Sequence, residues 1–275
     1  MGRIIFICLH FLVVFVDALS AQPDTSINLQ PQYFIEGNYI DFYIDNLNNI
    51  FLLNAGNQLK KLNEKGDSVA VSNALRKYGN IFNVDVSNPL KIAVYYKDFS
   101  TIVVLDRFLS NINTIDLRKY GILQSQAVAL SYDNNYWVFD AVENKLKKID
   151  DNGNTLLQTP DFRTIFNEAF SPGTIIDNNG FVYLYDAKKG WLIFDYYGAF
   201  KQNIIQPGLS NVQVIKNDLY GFDSARDIHR YNAKTFNETT FKTNIQVNGA
   251  IKFQLLTNTL YMLSKNALTA YSITY

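Results

Sequence analysis

Short runs of β-branched and aromatic residues alternate with Asn- and Asp-rich turns along the chain. The clearest copy is Tyr132 to Asp150. Asp133-Asn134-Asn135 forms a turn, Tyr136-Trp137-Val138-Phe139-Asp140 a strand, and after a short gap Leu146-Lys147-Lys148-Ile149-Asp150 a second strand. Asn and Asp suit such turns because their side chains bond nearby backbone and tolerate left-handed geometry. Val, Ile, Tyr, Phe and Leu suit a pleated, packed surface.

The same pattern returns throughout. Its first half recurs at Asp45–Asn54, Ser87–Tyr95 and Asp177–Asp186, with weaker copies at Lys216–Asp223 and Thr257–Ser264. Its second half recurs at Leu59–Asn63, Ile102–Asp106, Leu192–Asp195, Ile228–Asn232 and Leu268–Ser272. Leu75-Arg76-Lys77-Tyr78-Gly79 repeats identically as Leu117-Arg118-Lys119-Tyr120-Gly121 at the same phase. The period is roughly 37–47 residues, which suits propeller blades of about four strands. A β-sandwich or a solenoid is the competing architecture. The near-equal units favour an all-β, single six-bladed β-propeller, with blades at 38–75, 76–120, 121–165, 166–207, 208–245 and 246–275. The final unit stops after its third strand. The missing outer strand is expected from Ser26–Leu29 or Gln32–Glu36, near the other end of the chain.

Ahead of the repeats stand Met1-Gly2-Arg3, an apolar run from Ile4 to Val16, and small residues up to Ala21. One positive charge, a short apolar core and a small-residue cut site predict a secretory signal peptide over 1–21, followed by the propeller over 22–275. The run falls short of the about 20 apolar residues a membrane span needs, although Asp17 leaves a retained anchor as the alternative. Cleavage would remove Cys8, the only cysteine. The mature chain would then have no disulfide, which fits a Gram-negative envelope better than a eukaryotic secreted domain. No linker or low-complexity stretch interrupts the repeats, so one domain is expected.

With 25 basic and 25 acidic residues the chain has no basic excess, which argues against nucleic-acid partners. His229 is the only histidine beyond the leader, so neither a histidine metal cluster nor a convincing Ser-His-Asp set is available. It lies on a strand whose siblings carry Lys60 and Lys147, read as solvent-facing. Asp150-Asp151-Asn152-Gly153-Asn154 fails as a calcium loop, because Thr155 and Asp161 stand where the loop needs Gly and Glu. A tight hairpin turn is expected there instead. Asp106, Asp140, Asp150, Asp186, Asp195 and Asp223 end strands in repeat and read as turn residues. A catalytic carboxylate pair should break a repeat rather than obey it. Trp137 and Trp191 occupy equivalent-looking strand positions, which favours packing. No catalytic residue, metal or cofactor is expected. The binding candidates lie in loops entering the first strand of each blade: Arg76, Tyr78, Arg118, Tyr120 and Arg163, with Gln124 beside them. Arg and Tyr are enriched at interface hot spots, and bracing of adjacent blades is the alternative role.

Asn88-Pro89-Leu90-Lys91-Ile92, the stretch Tyr95–Asp106, and Tyr136-Trp137-Val138-Phe139-Asp140 carry a resemblance to known proteins. The chain resembles six-bladed propellers of the NHL and TolB-like type, and more closely exported envelope propellers of Bacteroidota. That resemblance implies a periplasmic, outer-membrane-associated or cell-surface location and a binding or scaffold role. Export, repeats and the lack of a catalytic set point the same way. The expectation is a non-enzymatic propeller in an outer-membrane or periplasmic assembly, with an envelope protein as partner and no transmembrane span in the mature chain. The alternative is a glycan-binding lectin or carbohydrate-active enzyme, marked by acids and aromatics converging at one channel mouth.

Overall fold

The computed structural model describes residues 25–73, 77–244 and 249–274. The leader expected over 1–21 and the candidate Arg76 lie outside them. β1 (Thr25–Glu36) precedes four four-stranded antiparallel sheets. The first holds β2 (Asp41–Ile44), β3 (Ile50–Leu53), β4 (Leu59–Leu62) and β5 (Ser68–Ser72). The second holds β6 (Asn83–Asn88), β7 (Lys91–Tyr96), β8 (Thr101–Asp106) and β9 (Asn111–Asp116). The third holds β10 (Ser125–Leu130), β11 (Tyr136–Asp140), β12 (Lys145–Ile149) and β13 (Thr155–Gln158). The fourth holds β14 (Thr174–Asn178), β15 (Phe181–Asp186), β16 (Gly190–Asp195) and β17 (Phe200–Ile204).

An eight-stranded sheet completes the chain. Its strands are β18 (Ser210–Ile215), β19 (Asp218–Phe222), β20 (Ile228–Asn232), β21 (Glu238–Thr243), β22 (Ala250–Leu255), β23 (Thr259–Ser264) and β24 (Ala267–Thr274), with β1 between β21 and β24. Thr25–Ile27 run parallel to Phe241–Thr243, and Asn28–Glu36 run antiparallel to β24. The register shifts between Pro31 and Tyr33. A bulge there suits Pro31, which has no N–H to give to a ladder. β1 thereby stitches the β18–β21 half to the β22–β24 half.

Burial explains why strands such as β3, β7, β8, β11 and β16 read as nearly continuous apolar runs. Each is covered on both sides, and alternate residues enter different cores. Ile92, Val94 and Tyr96 pack toward the first sheet, while Ala93 and Tyr95 pack toward the third. Tyr136 and Val138 face the second sheet, while Trp137 and Phe139 face the fourth. This is the two-residue period of a strand used on both faces. Phe222 stacks on Phe253 between the two halves of the large sheet, with centroids 4.5 Å apart. Tyr261 and Leu263 then pack on Phe42, Ile44 and Leu52 of the first sheet, so the sequence of cores closes on itself. Outer strands such as β5 and β13 are largely exposed.

The innermost strands face a central channel, and side chains bond each to the innermost strand of a neighbouring unit. Asp85 Oδ2 accepts from Leu130 N at 2.7 Å, and Gln213 Oε1 accepts from Leu255 N at 2.9 Å. Gln254 accepts from Ile44 N at 3.0 Å and donates to Ile44 O at 3.1 Å. These side chains satisfy backbone groups that a bare sheet edge would leave open.

The strand-ending acids are turn residues. Asp150 Oδ1 accepts from Asn152 N and Asn154 N at 2.9 and 2.8 Å. Asp106 and Asp195 repeat that geometry on Phe108 and Ser110, and on Tyr197 and Ala199. Asp140 caps Val142 and Glu143, Asp186 caps Lys188, and Asp223 caps Asp227.

Two expectations are corrected. Lys147 is not solvent-facing: it is only 5% exposed. Its Nζ lies 2.7 Å from Asp140 Oδ2 and 2.9 Å from Glu143 Oε2, so the charge is paired on both sides where strand packing covers it. Trp137 and Trp191 are both fully buried but not equivalent, since one lies on the second strand of its sheet and the other on the third.

Candidate functional site

In a four-stranded antiparallel sheet the connections alternate between its two ends. Crossovers from an outermost strand to the next innermost one therefore share a face with the turns between second and third strands. First-to-second and third-to-fourth turns share the opposite face. The sequence-predicted candidates among the described residues, Tyr78, Arg118, Tyr120 and Arg163, sit in connections on the first, the crossover face.

On that face Leu117–Tyr120 form a 3-10 turn capped by Asp116, and Gly121 closes it at φ 82°. Gly79, its counterpart in the identical five-residue repeat, has the same φ of 82°. Helix α1 (Phe162–Phe166) is capped by Asp161. Tyr78 packs against Tyr96, with centroids 5.5 Å apart. Arg118 Nε lies 3.2 Å from Asp116 Oδ1, with its guanidinium over Phe99. The Tyr120 ring reaches from the crossover to the third-to-fourth turn of the next sheet and lies over Gly153, where a Cβ would fall 2.4 Å from it. Arg163 pairs with Asp161 at 2.7 Å and donates to the carbonyls of Val142 and Glu143. The Arg163 bond holds the Asp161 carboxyl below the usual carboxylate range. The carbonyl of Gln124 accepts from Ala141 N at 2.9 Å. Each candidate thus contacts its own chain while its surroundings stay open. Phe99, Leu123, Val142 and Ile165 are exposed among them.

The opposite, turn face holds what sequence reasoning missed. A cleft of about 470 Å³ lies across the channel mouth, walled by the first-to-second turns of all four four-stranded sheets and by Tyr196. Asp177 is its centre. One carboxylate oxygen, Oδ2, accepts from Trp137 Nε1 at 2.9 Å, Ser131 Oγ at 3.0 Å and Tyr132 N at 3.3 Å. The Tyr196 hydroxyl accepts from Gly180 N at 2.7 Å, which ties its turn to the one that follows Asp177. Burial pushes the Asp177 carboxyl above its ordinary value and outweighs these donors. Tyr132 and Tyr196 stack with centroids 4.1 Å apart and planes 19° from parallel. Tyr132 nonetheless remains 64% exposed. Lys148 Nζ sits 2.6 Å from Asp133 Oδ2 and over the Tyr132 and Trp137 rings. Burial works against the Asp133 charge, but the Lys148 ammonium keeps its carboxyl below the ordinary value.

One signal for this cleft was visible. Tyr132 is a large aromatic at the turn position that Asn46 holds in the first sheet, and it stays exposed there. Asp177 gave none, because it looks like Asp45. Asp45 closes its own turn on Leu47 N and Asn49 N, whereas Asp177 reaches the preceding sheet. His229 lies away from both faces' centres on β20, 3.0 Å from Asp223 and 3.5 Å from Glu238. Among the described residues no group of three His, Cys, Asp or Glu could hold a metal ion, and no helix is long and apolar enough to cross a membrane.

No family model and no curated relative matches the chain. Solved structures do. A streptogramin B lyase structure superposes with TM-score 0.61 at 15% identity, over 85% of this chain and 78% of that one. Virginiamycin B lyase from Staphylococcus aureus gives 0.60 at 9%, over 88% and 99%. BamB from Moraxella catarrhalis gives 0.51 at 14%, over 84% and 81%. At these identities the likeness is one of fold: the chain is an all-β protein of β-propeller architecture.

Proposed function

We propose that this chain is a non-enzymatic, six-bladed binding propeller exported to a bacterial envelope, of the NHL/TolB-like, Bacteroidota type, where its crossover face docks a protein partner in a periplasmic, outer-membrane or cell-surface assembly. Six blades follow if the eight-stranded sheet is two units joined through β1. The strands of each unit then fall inside 38–75, 76–120, 121–165, 166–207, 208–245 and 246–275, after a leader over 1–21.

The observation that carries the reading is the composition of the crossover face. Phe99, Leu123, Val142 and Ile165 are exposed and interleaved with Arg118, Tyr120 and Arg163. Exposed apolar groups beside Arg and Tyr on braced loops are what an interface hot spot needs. Arg76 and Tyr78 extend the proposed rim. The strand-ending acids support a non-catalytic role, since each is engaged in closing a turn. The likeness to both a lyase and BamB leaves function to be argued from sites rather than fold. A second reading, glycan binding, is favoured by one feature: Asp177, Tyr132 and Tyr196 converge at a single channel mouth.

The test is mild-detergent affinity purification of the tagged full chain from its native host, followed by mass spectrometry. An outer-membrane channel or secretion component is expected, and Leu123→Asp should lose it without lowering the melting temperature. Recovery of the chain alone would overturn the partner reading.

A further inference from the structure

We propose that the turn-face cleft is a binding site for neutral carbohydrate, with Tyr132 as stacking platform and Asp177 as the fixed group that organises it. The proposal rests on reading the chain as a binding propeller and names a second ligand, on the face opposite the protein-docking rim.

The charge of the lining comes first. Asn46, Ser87, Asn88, Ser131 and Asn178 supply amides and hydroxyls, and Asp177 is the sole charged group. No lysine or arginine lines the cleft, and the neighbouring Lys148 is already paired with Asp133 at 2.6 Å, so phosphate and other anions find no free counter-charge. A cation fares little better. Three groups already bond one oxygen of the Asp177 carboxylate, and the Lys148 ammonium, 5.1 Å from the Tyr132 ring centre, adds its own positive charge nearby.

What remains open suits a polyhydroxylated ligand. The side chains of Asn46 and Ser87 make no hydrogen bond within the described chain, and the Nδ2 of Asn178 is anchored to Lys216 O while its Oδ1 makes none. Amides and hydroxyls both donate and accept, as sugar hydroxyls do. A sugar ring also presents an apolar C–H face, which an aromatic side chain with a polar tip can cover. Tyr132 meets that need, since it is held against Tyr196 and stays largely in solvent. The volume of about 470 Å³ lies within the range of small-ligand sites, roughly 300–1,000 Å³.

The site is also preorganised. Tyr132 N, Ser131 Oγ and Trp137 Nε1 converge on Asp177, and the Tyr196 hydroxyl accepts from Gly180 N, so three turns are fixed before any ligand arrives. Binding to such a site loses little loop entropy.

The experiment is calorimetric titration of the leaderless full chain with neutral oligosaccharides (cello-, manno- and galacto-hexaose and the N-acetylglucosamine hexamer), followed in parallel by tryptophan emission. At least one should bind and shift the emission, because the Trp137 indole N–H is bonded to Asp177. Tyr132→Ala should weaken that binding about tenfold and Asn46→Ala about threefold. Ile205→Ala, exposed on the crossover face, should leave it unchanged. Silence across the panel at millimolar concentration, or full affinity in a folded Tyr132→Ala, overturns the site. The two readings separate cleanly. Partner capture that persists in Tyr132→Ala leaves the docking role standing whatever the titration gives. Release of new reducing ends during titration would sink the non-enzymatic reading while keeping the site.

Discussion

Trp137 and Asp177 are bonded across two neighbouring sheets: the indole Nε1 donates to the carboxylate Oδ2 at 2.9 Å. Trp137 is fully buried on β11, and Asp177 lies near the end of β14. The bond therefore joins the core between the third and fourth sheets to the mouth of the channel. Trp137→Phe keeps most of the ring and removes the donor to a half-buried carboxylate. A loss of about 1–3 kcal/mol is expected. It should appear in urea unfolding as a lowered midpoint with unchanged slope.

The Asp177 carboxyl has its pKa raised by burial, so the sign of its pH dependence is opposite to that of a salt-bridged acid. Its contribution to stability is fully present below the unfolded value of about 3.9 and is lost as pH rises through the folded value. Asp177→Asn removes that titration. The stability of the native chain relative to this variant should be greatest in acid and smaller at neutral pH. A melting-temperature difference that grows with pH would contradict it.

Lys147 is enclosed by Asp140 and Glu143, and the charge attraction is in control there. Burial alone would lower its pKa, but the bonds to Asp140 and Glu143 outweigh this and raise it. Lys147→Met keeps the aliphatic stem and strands the buried Asp140 charge, which should destabilise by about 3–5 kcal/mol. Because the pKa is raised, the lysine's contribution holds up to about pH 10.4 and fades as pH climbs through the folded value. Denaturant titrations of both proteins from neutral to alkaline pH check the magnitude and the window.

Two glycines separate backbone strain from crowding. Gly190 has φ 108°, and a Cβ there would lie 2.2 Å from Ile204 O and 2.5 Å from Gln206 N. Gly121 has φ 82° with open space around its Cβ direction. Gly121→Ala should cost about 1–2 kcal/mol, from the left-handed conformation alone. Gly190→Ala meets backbone on both sides and should cost more, or fail to fold. Equal losses would mean that the strand pair β16–β17 yields without penalty.

The sequence by itself determined the element type, the repeat and the use of the acids. Two-sided burial makes strands such as β3, β7, β8, β11 and β16 read as nearly unbroken apolar runs, and that signal is local. Asp106, Asp150 and Asp195 were legible as turn residues because each bonds N–H groups two and four positions ahead. Tertiary structure decided everything that crosses between units. Asp45 and Asp177 stand at matching turns, yet one closes on itself and the other binds Trp137, 40 residues away. Lys147 reads as a surface residue until Asp140 and its neighbours enclose it. Tyr120 reads as a rim residue until the Gly153 turn lies beneath it. A repeat specifies how each unit folds. Which side chains meet depends on how neighbouring units pack, and a contact made by residues dozens of positions apart leaves no periodic trace in the chain.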